Sequence, residues 1–137
     1  MLDIAIVLNG EIADWEGFNF LVHSASYLVA VDGGLNHLID LDLKPDLLIG
    51  DFDSVSADAL IKARQWPINV SKFPRQKDFT DSELAIEEIL SDQRFDFEGK
   101  KPVIGLLAAF GSRYDHLLSN QLLAKRFSSK ADFILSD

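Results

Sequence analysis

Short, continuous apolar runs recur along this chain, and the clearest of them end at or close to a glycine, an aspartate or an asparagine. The clear runs are residues 2–8, 27–31, 47–49 and 103–108, with weaker ones at 69–73 and 132–135. A run that is apolar throughout, and not only at alternate positions, is typical of a strand covered on both faces. Such strands belong to parallel sheets flanked by helices, so the pattern favours an α/β fold.

Helical patterns fall between these runs. The strongest covers Thr80 to Ser91, because Thr80-Asp81-Ser82-Glu83 matches a capping box and apolar residues follow at helical spacing. A second clear pattern covers residues 114–127, and weaker ones cover residues 16–24, 35–41 and 57–66. This alternation predicts a three-layer sandwich with a mostly parallel, Rossmann-like sheet and right-handed crossovers.

Size and composition narrow the class of protein. The 137 residues suit one domain, and the lack of cysteine excludes disulfides and thiolate metal sites. No apolar stretch reaches the ~18 residues of a membrane span, and the N-terminus lacks the basic region of a signal peptide. We therefore expect one cytoplasmic domain over residues 1–137. A net charge of −9 disfavours binding to a nucleic-acid backbone.

Two acids, Asp51 and Asp53, follow the third apolar run directly after Gly50. On an extended chain, side chains at positions i and i+2 point the same way, about 6.5–7 Å apart. Carboxylates so close repel each other unless a cation lies between them, and Mg²⁺ prefers one or two carboxylates together with phosphate oxygens and water. The segment indicates either a magnesium site or a polar turn that caps the next helix.

Asp32, Gly33 and Gly34 follow the second run. The two glycines allow close approach of the backbone, so exposed amides here could hold an anion. A plain turn from strand to helix needs glycine just as much, and both interpretations stay open. The sequence contains neither a P-loop pattern nor a dinucleotide fingerprint.

The segment before the strongest helix carries both signs of charge. Thr80 is the predicted N-cap, and Asp81 suits the positive end of the helix. That structural account leaves Asp78, Arg75 and Lys77 unexplained. Two basic side chains beside several acids indicate a phosphate clamp with metal ligands, and the alternative is a solvated charged loop.

Residues 111–116 follow the fifth run and lead into the helix that carries Asn120. Arg113 offers a planar fork for phosphate, while Asp115 can bind metal or accept a hydroxyl proton. Because the ends of parallel strands lie along one edge, where ligands of such folds bind, these distant segments should converge in space.

Four segments, in order and spread over nearly the whole chain, resemble the catalytic domain of the thiamine pyrophosphokinase family. They are Asp32-Gly33-Gly34, Gly50-Asp51-Phe52-Asp53-Ser54, residues 77–83 and residues 111–116 with Asn120. The resemblance implies transfer of a pyrophosphoryl group from ATP to the hydroxyl of thiamine, giving thiamine diphosphate and AMP with Mg²⁺. It also implies a homodimer in the full-length protein.

The resemblance further implies roles for individual residues. The metal ligands would be Asp51, Asp53, Asp78 and Asp81, and the catalytic group would comprise Asp51, Asp53, Asp78, Arg113 and Asp115. Residues that contact or adjoin the nucleotide would be Asp32, Gly33, Gly34, Arg75, Lys77, Thr80, Asp81, Gly111, Ser112 and Asn120. Ser112 stands where the family often has a second glycine, and the family's C-terminal β-rich domain is not found in these residues.

Three other functions are compatible with the sequence. A pyrophosphokinase for another alcohol, such as a pterin, would share the metal-binding acids but not the acceptor pocket. A non-catalytic module that binds Mg-nucleotide is the second alternative. A phosphohydrolase is the third, although no separate pair of nucleophile and base stands out.

Overall fold

The computed structural model describes residues 2–50, 55–66, 69–72, 81–91, 99–109 and 114–136. Within these ranges the chain forms six strands and five helices. The strands are β1 (Ile4–Val7), β2 (Tyr27–Val31), β3 (Leu47–Gly50), β4 (Asn69–Lys72), β5 (Val103–Leu107) and β6 (Asp132–Leu135). The helices are α1 (Trp15–Ser24), α2 (Gly34–Asp40), α3 (Ala57–Arg64), α4 (Asp81–Ser91) and α5 (Tyr114–Arg126).

The strands form one sheet in the order β4-β3-β2-β1-β5-β6, and every neighbouring pair is parallel. In the centre, Ile4 of β1 lies opposite Tyr27 of β2 and Ile104 of β5. The predicted α/β class and Rossmann-like sheet are confirmed, and the pairing is parallel throughout the described strands. The predicted strands and helices differ from the observed ones by at most a few terminal residues, as is usual at element ends.

Alternate residues of the strands point into two separate cores. On one face, Ala5 and Val7 of β1 pack with the buried residues of α1, α2 and α3, among them Phe18 and Leu35. On the other face, side chains such as Ile6 pack with α4 and α5. Burial on both faces explains why the strands read as continuous apolar runs. In the described part of the chain no helix is long and apolar enough to cross a membrane.

The order of the strands places a change of direction beside β1. From β1 the chain proceeds through β2 and β3 to one side, whereas β5 and β6 lie on the other side. The helix α1 that follows β1 and the helix α5 that follows β5 cover opposite faces. The two connections therefore diverge, and ligands of open α/β sheets bind at such a point, outside the carboxyl ends of the strands.

An ion pair joins the two helices on the second face. Glu83 in the first turn of α4 is 7% exposed and pairs with the guanidinium of Arg126 in the last turn of α5. The other terminal nitrogen of Arg126 lies 3.8 Å from Oε1 of Glu87. The sequence predicted only a helix-capping role for Glu83. In the structure, its contact with Arg126 joins the start of α4 to the end of α5 on the same face of the sheet.

Arg126→Gln should lower the free energy of unfolding by about 1–2 kcal/mol, because it removes this cation from a buried carboxylate while Arg126 itself is half exposed. The matched control is Lys125→Gln, an exposed neighbour on the same helix turn that should change stability by less than about 0.5 kcal/mol. Urea denaturation of the three proteins measures both. Equal stability of Arg126→Gln and the unsubstituted chain would contradict a stabilising role for the pair.

The turn from β2 into α2 is pressed against the end of β1. A Cβ on Gly34 would collide with the backbone carbonyl of Val7 and lie 3.2 Å from the carbonyl oxygen of Leu8. A Cβ on Gly33 would instead meet the side-chain amide of Asn9. Gly33 has an ordinary right-handed backbone, with φ −62° and ψ −9°, so a side chain there is limited by space alone.

These two glycines should differ sharply when replaced. Gly34→Ala should destabilise the fold by about 2 kcal/mol or more, because the obstacle is backbone that cannot move alone. Gly33→Ala should cost less than about 1 kcal/mol, because the exposed Asn9 side chain can swing away. Thermal and denaturant unfolding measure the difference. A loss of stability in Gly33→Ala as large as that in Gly34→Ala would show that the Asn9 side chain does not move away.

Candidate active site at the carboxyl edge of the sheet

The end of β2 reaches across to the end of β3. Asp32 is 8% exposed and has φ +50°, and its backbone N–H donates to the carbonyl of Ile49 over 2.9 Å. A Cβ on Gly50 would lie 2.7 Å from Oδ1 of Asp32, so the carboxylate occupies the space that the glycine leaves open. Gly50 has φ +135°, a conformation that favours glycine. The Asp32 carboxylate is thereby held against the residue that immediately precedes Asp51 in the sequence.

The end of β1 reaches across to β2 in the same way. The side chain of Asn9 lies against Gly33, and the following turn is fixed by His37, whose Nε2 is 2.7 Å from the carbonyl oxygen of Gly10. The His37 ring packs edge-to-face with those of Trp15 and Phe18. Asn9 directly follows the first apolar run, so the sequence predicts that it lies at this edge, but it predicts no individual role for Asn9.

Three hydrogen bonds hold the carboxyl end of β5. The carbonyl of Ala108 accepts from Gly10 N–H over 2.9 Å, and Ala109 N–H donates to the carbonyl of Ser136 over 2.9 Å. The side-chain amide of Asn120, which is 8% exposed, donates to the Ala109 carbonyl over 3.0 Å. Ala108 has φ +53°, an unusual value for a residue with a side chain.

Asn120 thus fixes α5 to the exit of β5. One amide hydrogen of Asn120 is used within the protein, and its predicted contact with the nucleotide stays a prediction. Residues held in sparsely populated backbone conformations cluster at functional sites. Here Asp32 and Ala108 mark the exits of β2 and β5, on either side of β1.

The structure brings Asp32, Gly33 and Gly34 together with the ends of β1 and β3. Asp81 begins α4 and Asp115 is the second residue of α5, but their side chains are not described. Nine other predicted site residues lie outside the described ranges: Asp51, Asp53, Arg75, Lys77, Asp78, Thr80, Gly111, Ser112 and Arg113.

The described residues contain no cluster of three or more potential metal ligands. Among them, no group of three histidine, aspartate or glutamate side chains converges closely enough to hold an ion. The acids predicted as metal ligands are those outside the described ranges, together with Asp81, whose side chain is not described. At the carboxyl ends of the described strands lie the Asp32 carboxylate after β2 and the side-chain amide of Asn9 after β1. Gly33 lies against Asn9, and Gly50 lies against Asp32.

Comparison with known proteins gives one consistent result. The family model for the thiamin pyrophosphokinase catalytic domain matches residues 18–135. The thiamine pyrophosphokinase of Bacillus subtilis is 29% identical over 110 residues, which cover 80% of this chain and 48% of that protein.

Solved structures agree. A thiamin pyrophosphokinase family protein from Enterococcus faecalis superposes with a TM-score of 0.76 at 32% identity, covering 96% of this chain and 60% of its own. Thiamin pyrophosphokinase from Candida albicans, at 17% identity, shares the fold with a TM-score of 0.77 and covers 98% of this chain and 58% of its own. The chain therefore spans about half to three-fifths of the length of these relatives.

The family match extends over the exits of β2, β3 and β5, where the unusual backbone conformations and the close contacts of glycine were found. By that match, and by the fold that it shares with the solved relatives, this chain belongs to the thiamin pyrophosphokinase family and corresponds to its catalytic domain.

Proposed function

We propose that this chain is the nucleotide-binding and metal-binding catalytic part of a thiamine pyrophosphokinase, with ATP and thiamine as its substrates. The observation that carries the proposal is the Asp32 carboxylate lying against Gly50, immediately before Asp51 and Asp53 in the sequence. The family match and the likeness to thiamin pyrophosphokinase structures support it. A cytoplasmic location and a homodimer in the full-length protein belong to the same proposal.

The reaction is an in-line displacement at the β-phosphorus of ATP. The hydroxyl oxygen of thiamine forms a bond to that phosphorus, and the bond from the phosphorus to the oxygen of the α-phosphate breaks. AMP leaves with the bonding electron pair, and the hydroxyl proton passes to a base. Asp115 is the proposed base, and Asp78 is the other candidate. Transfers of this kind depend mainly on positioning and charge neutralisation.

The proposed metal is Mg²⁺, held by Asp51, Asp53, Asp78 and Asp81 with Asp32 beside them. The donor set fits, since it consists of carboxylates, and the described edge presents the buried Asp32 carboxylate where β3 ends. When bound, Mg²⁺ offsets negative charge on the phosphate oxygens. Such an offset matters in a protein with a net charge of −9.

Basic side chains complete the proposed phosphate site. The guanidinium of Arg113 can bind phosphate oxygens through two parallel N–H donors. Arg75 and Lys77 would add positive charge from the segment before α4. The backbone of Gly33, Gly34, Gly111 and Ser112 would contact the nucleotide, and Thr80 would cap α4 beside Asp81.

Asp51→Asn should reduce kcat/KM for AMP formation from Mg-ATP and thiamine by at least about 100-fold, because a charged metal ligand becomes a neutral amide. The matched control is Asp58→Asn, which makes the same change on the exposed first turn of α3 and should leave the rate within about twofold. A coupled assay of AMP release measures both, with circular dichroism to show that the fold is kept.

The same reaction mixtures, assayed for phosphate and pyrophosphate as well as for AMP, decide between reactions. Formation of AMP that requires thiamine supports the proposed transfer, whereas release of phosphate or pyrophosphate without an acceptor indicates a hydrolase. Full activity in Asp51→Asn would refute its assignment as a metal ligand. AMP formation with a pterin alcohol but not with thiamine would refute the proposed acceptor.

A further inference from the structure

Asn9 occupies the point at which the connections of the sheet diverge. It follows β1 by two residues, and β1 lies between β2 and β5 in the sheet. The helices that follow β1 and β5 cover opposite faces, so the two connections diverge between these strand ends. In open α/β sheets, ligands bind where the connections diverge in this way. The residues assigned above follow β2, β3, β4 and β5, and none of them follows β1.

The backbone around Asn9 is fixed although its side chain is exposed. Leu8 N–H donates to the carbonyl of Leu107 and Gly10 N–H donates to that of Ala108, each over 2.9 Å. His37 binds the Gly10 carbonyl from the other side. The side chain of Asn9 rests against Gly33 and makes no hydrogen bond with any residue in the described part of the chain. Its backbone is therefore fixed, and its side-chain amide is available to a ligand.

The chemistry of Asn9 differs from that of the neighbouring strand end. Asp32 at the end of β2 can only accept hydrogen bonds when ionised, and it repels an anion. Ala108 and Ala109 at the end of β5 have no polar side chain. Among the described residues directly after β1, β2 and β5, Asn9 is the one whose side chain carries N–H donors. A neutral donor beside a carboxylate suits a phosphate oxygen that a cation does not cover.

We infer that Asn9 is a nucleotide-binding residue whose side-chain N–H donates to a phosphate oxygen of the bound nucleoside triphosphate. The inference rests on the proposed function, because it takes the triphosphate of ATP as the ligand at this edge. Gly33 has no side chain at the place where Asn9 lies, which lets the amide sit close over the turn into α2.

Titration calorimetry with Mg-ATP, using the whole chain, tests this. Asn9→Ala removes the donor and should weaken binding about tenfold or more, as expected for a hydrogen bond to a charged group. Asn9→Asp keeps the size but replaces the donor with a negative charge, and should weaken binding further. Asn19→Ala and Asn19→Asp are the matched controls, since Asn19 is an exposed asparagine on α1 and should bind within about twofold of the unsubstituted chain.

Each outcome decides the matter. Loss in both Asn9 variants with unchanged Asn19 variants supports the contact. Loss in Asn9→Asp alone, or an equal loss in Asn19→Asp, would trace the effect to added charge and overturn it. If the unsubstituted chain binds Mg-ATP and both Asn9 variants, shown folded by thermal melting, bind it equally well, the inference is wrong and the proposed function stands. Failure of the unsubstituted chain to bind Mg-ATP would refute the proposed function and this inference together.

Discussion

Close contact between neighbouring strand ends is the constraint on which the candidate site depends. Asn9 after β1 lies against Gly33, and Asp32 after β2 lies against Gly50. In both cases a polar side chain fills space that any larger residue would need. The missing Cβ atoms therefore do more than permit turns. They let polar groups from successive strands line one edge at van der Waals distance.

The parallel sheet makes this arrangement possible. Because all five neighbouring pairs run the same way, the carboxyl ends of β1, β2, β3 and β5 lie along one edge, while the helices cover the two faces of the sheet. The unusual backbone at Asp32 and Ala108 lies on this edge and is locked by hydrogen bonds to adjoining strand exits. The packed interior holds the strands in place, and the candidate site residues lie at the carboxyl ends of those strands. This arrangement is typical of folds with sites outside the carboxyl ends of strands.

Much of the fold could be predicted because each local signal has one dominant physical cause. Burial on both faces makes β1 and β5 continuously apolar, and the spacing of Ile86, Ile89 and Leu90 marks α4 as a helix. Contacts between distant residues left no such signal. The pair of Glu83 with Arg126 and the contact of Asn9 with Gly33 depend on how elements pack. Likewise, nothing in the sequence marks Ala108 for a positive φ. The candidate site was predictable as a set of strand ends, but not as a set of contacts.

The central claim is that these strand ends surround a metal-bound triphosphate, and paramagnetic broadening in NMR spectra tests it most directly. Mn²⁺ can replace Mg²⁺ because both prefer oxygen ligands. With Mn²⁺ and a non-hydrolysable ATP analogue bound, the amide signals of Asn9, Gly33 and Gly50 should broaden first. The amide signal of Lys130 should persist, because Lys130 lies just before β6, near the amino ends of the parallel strands. Broadening centred near Lys130, or equal broadening at all four amides, would contradict the account.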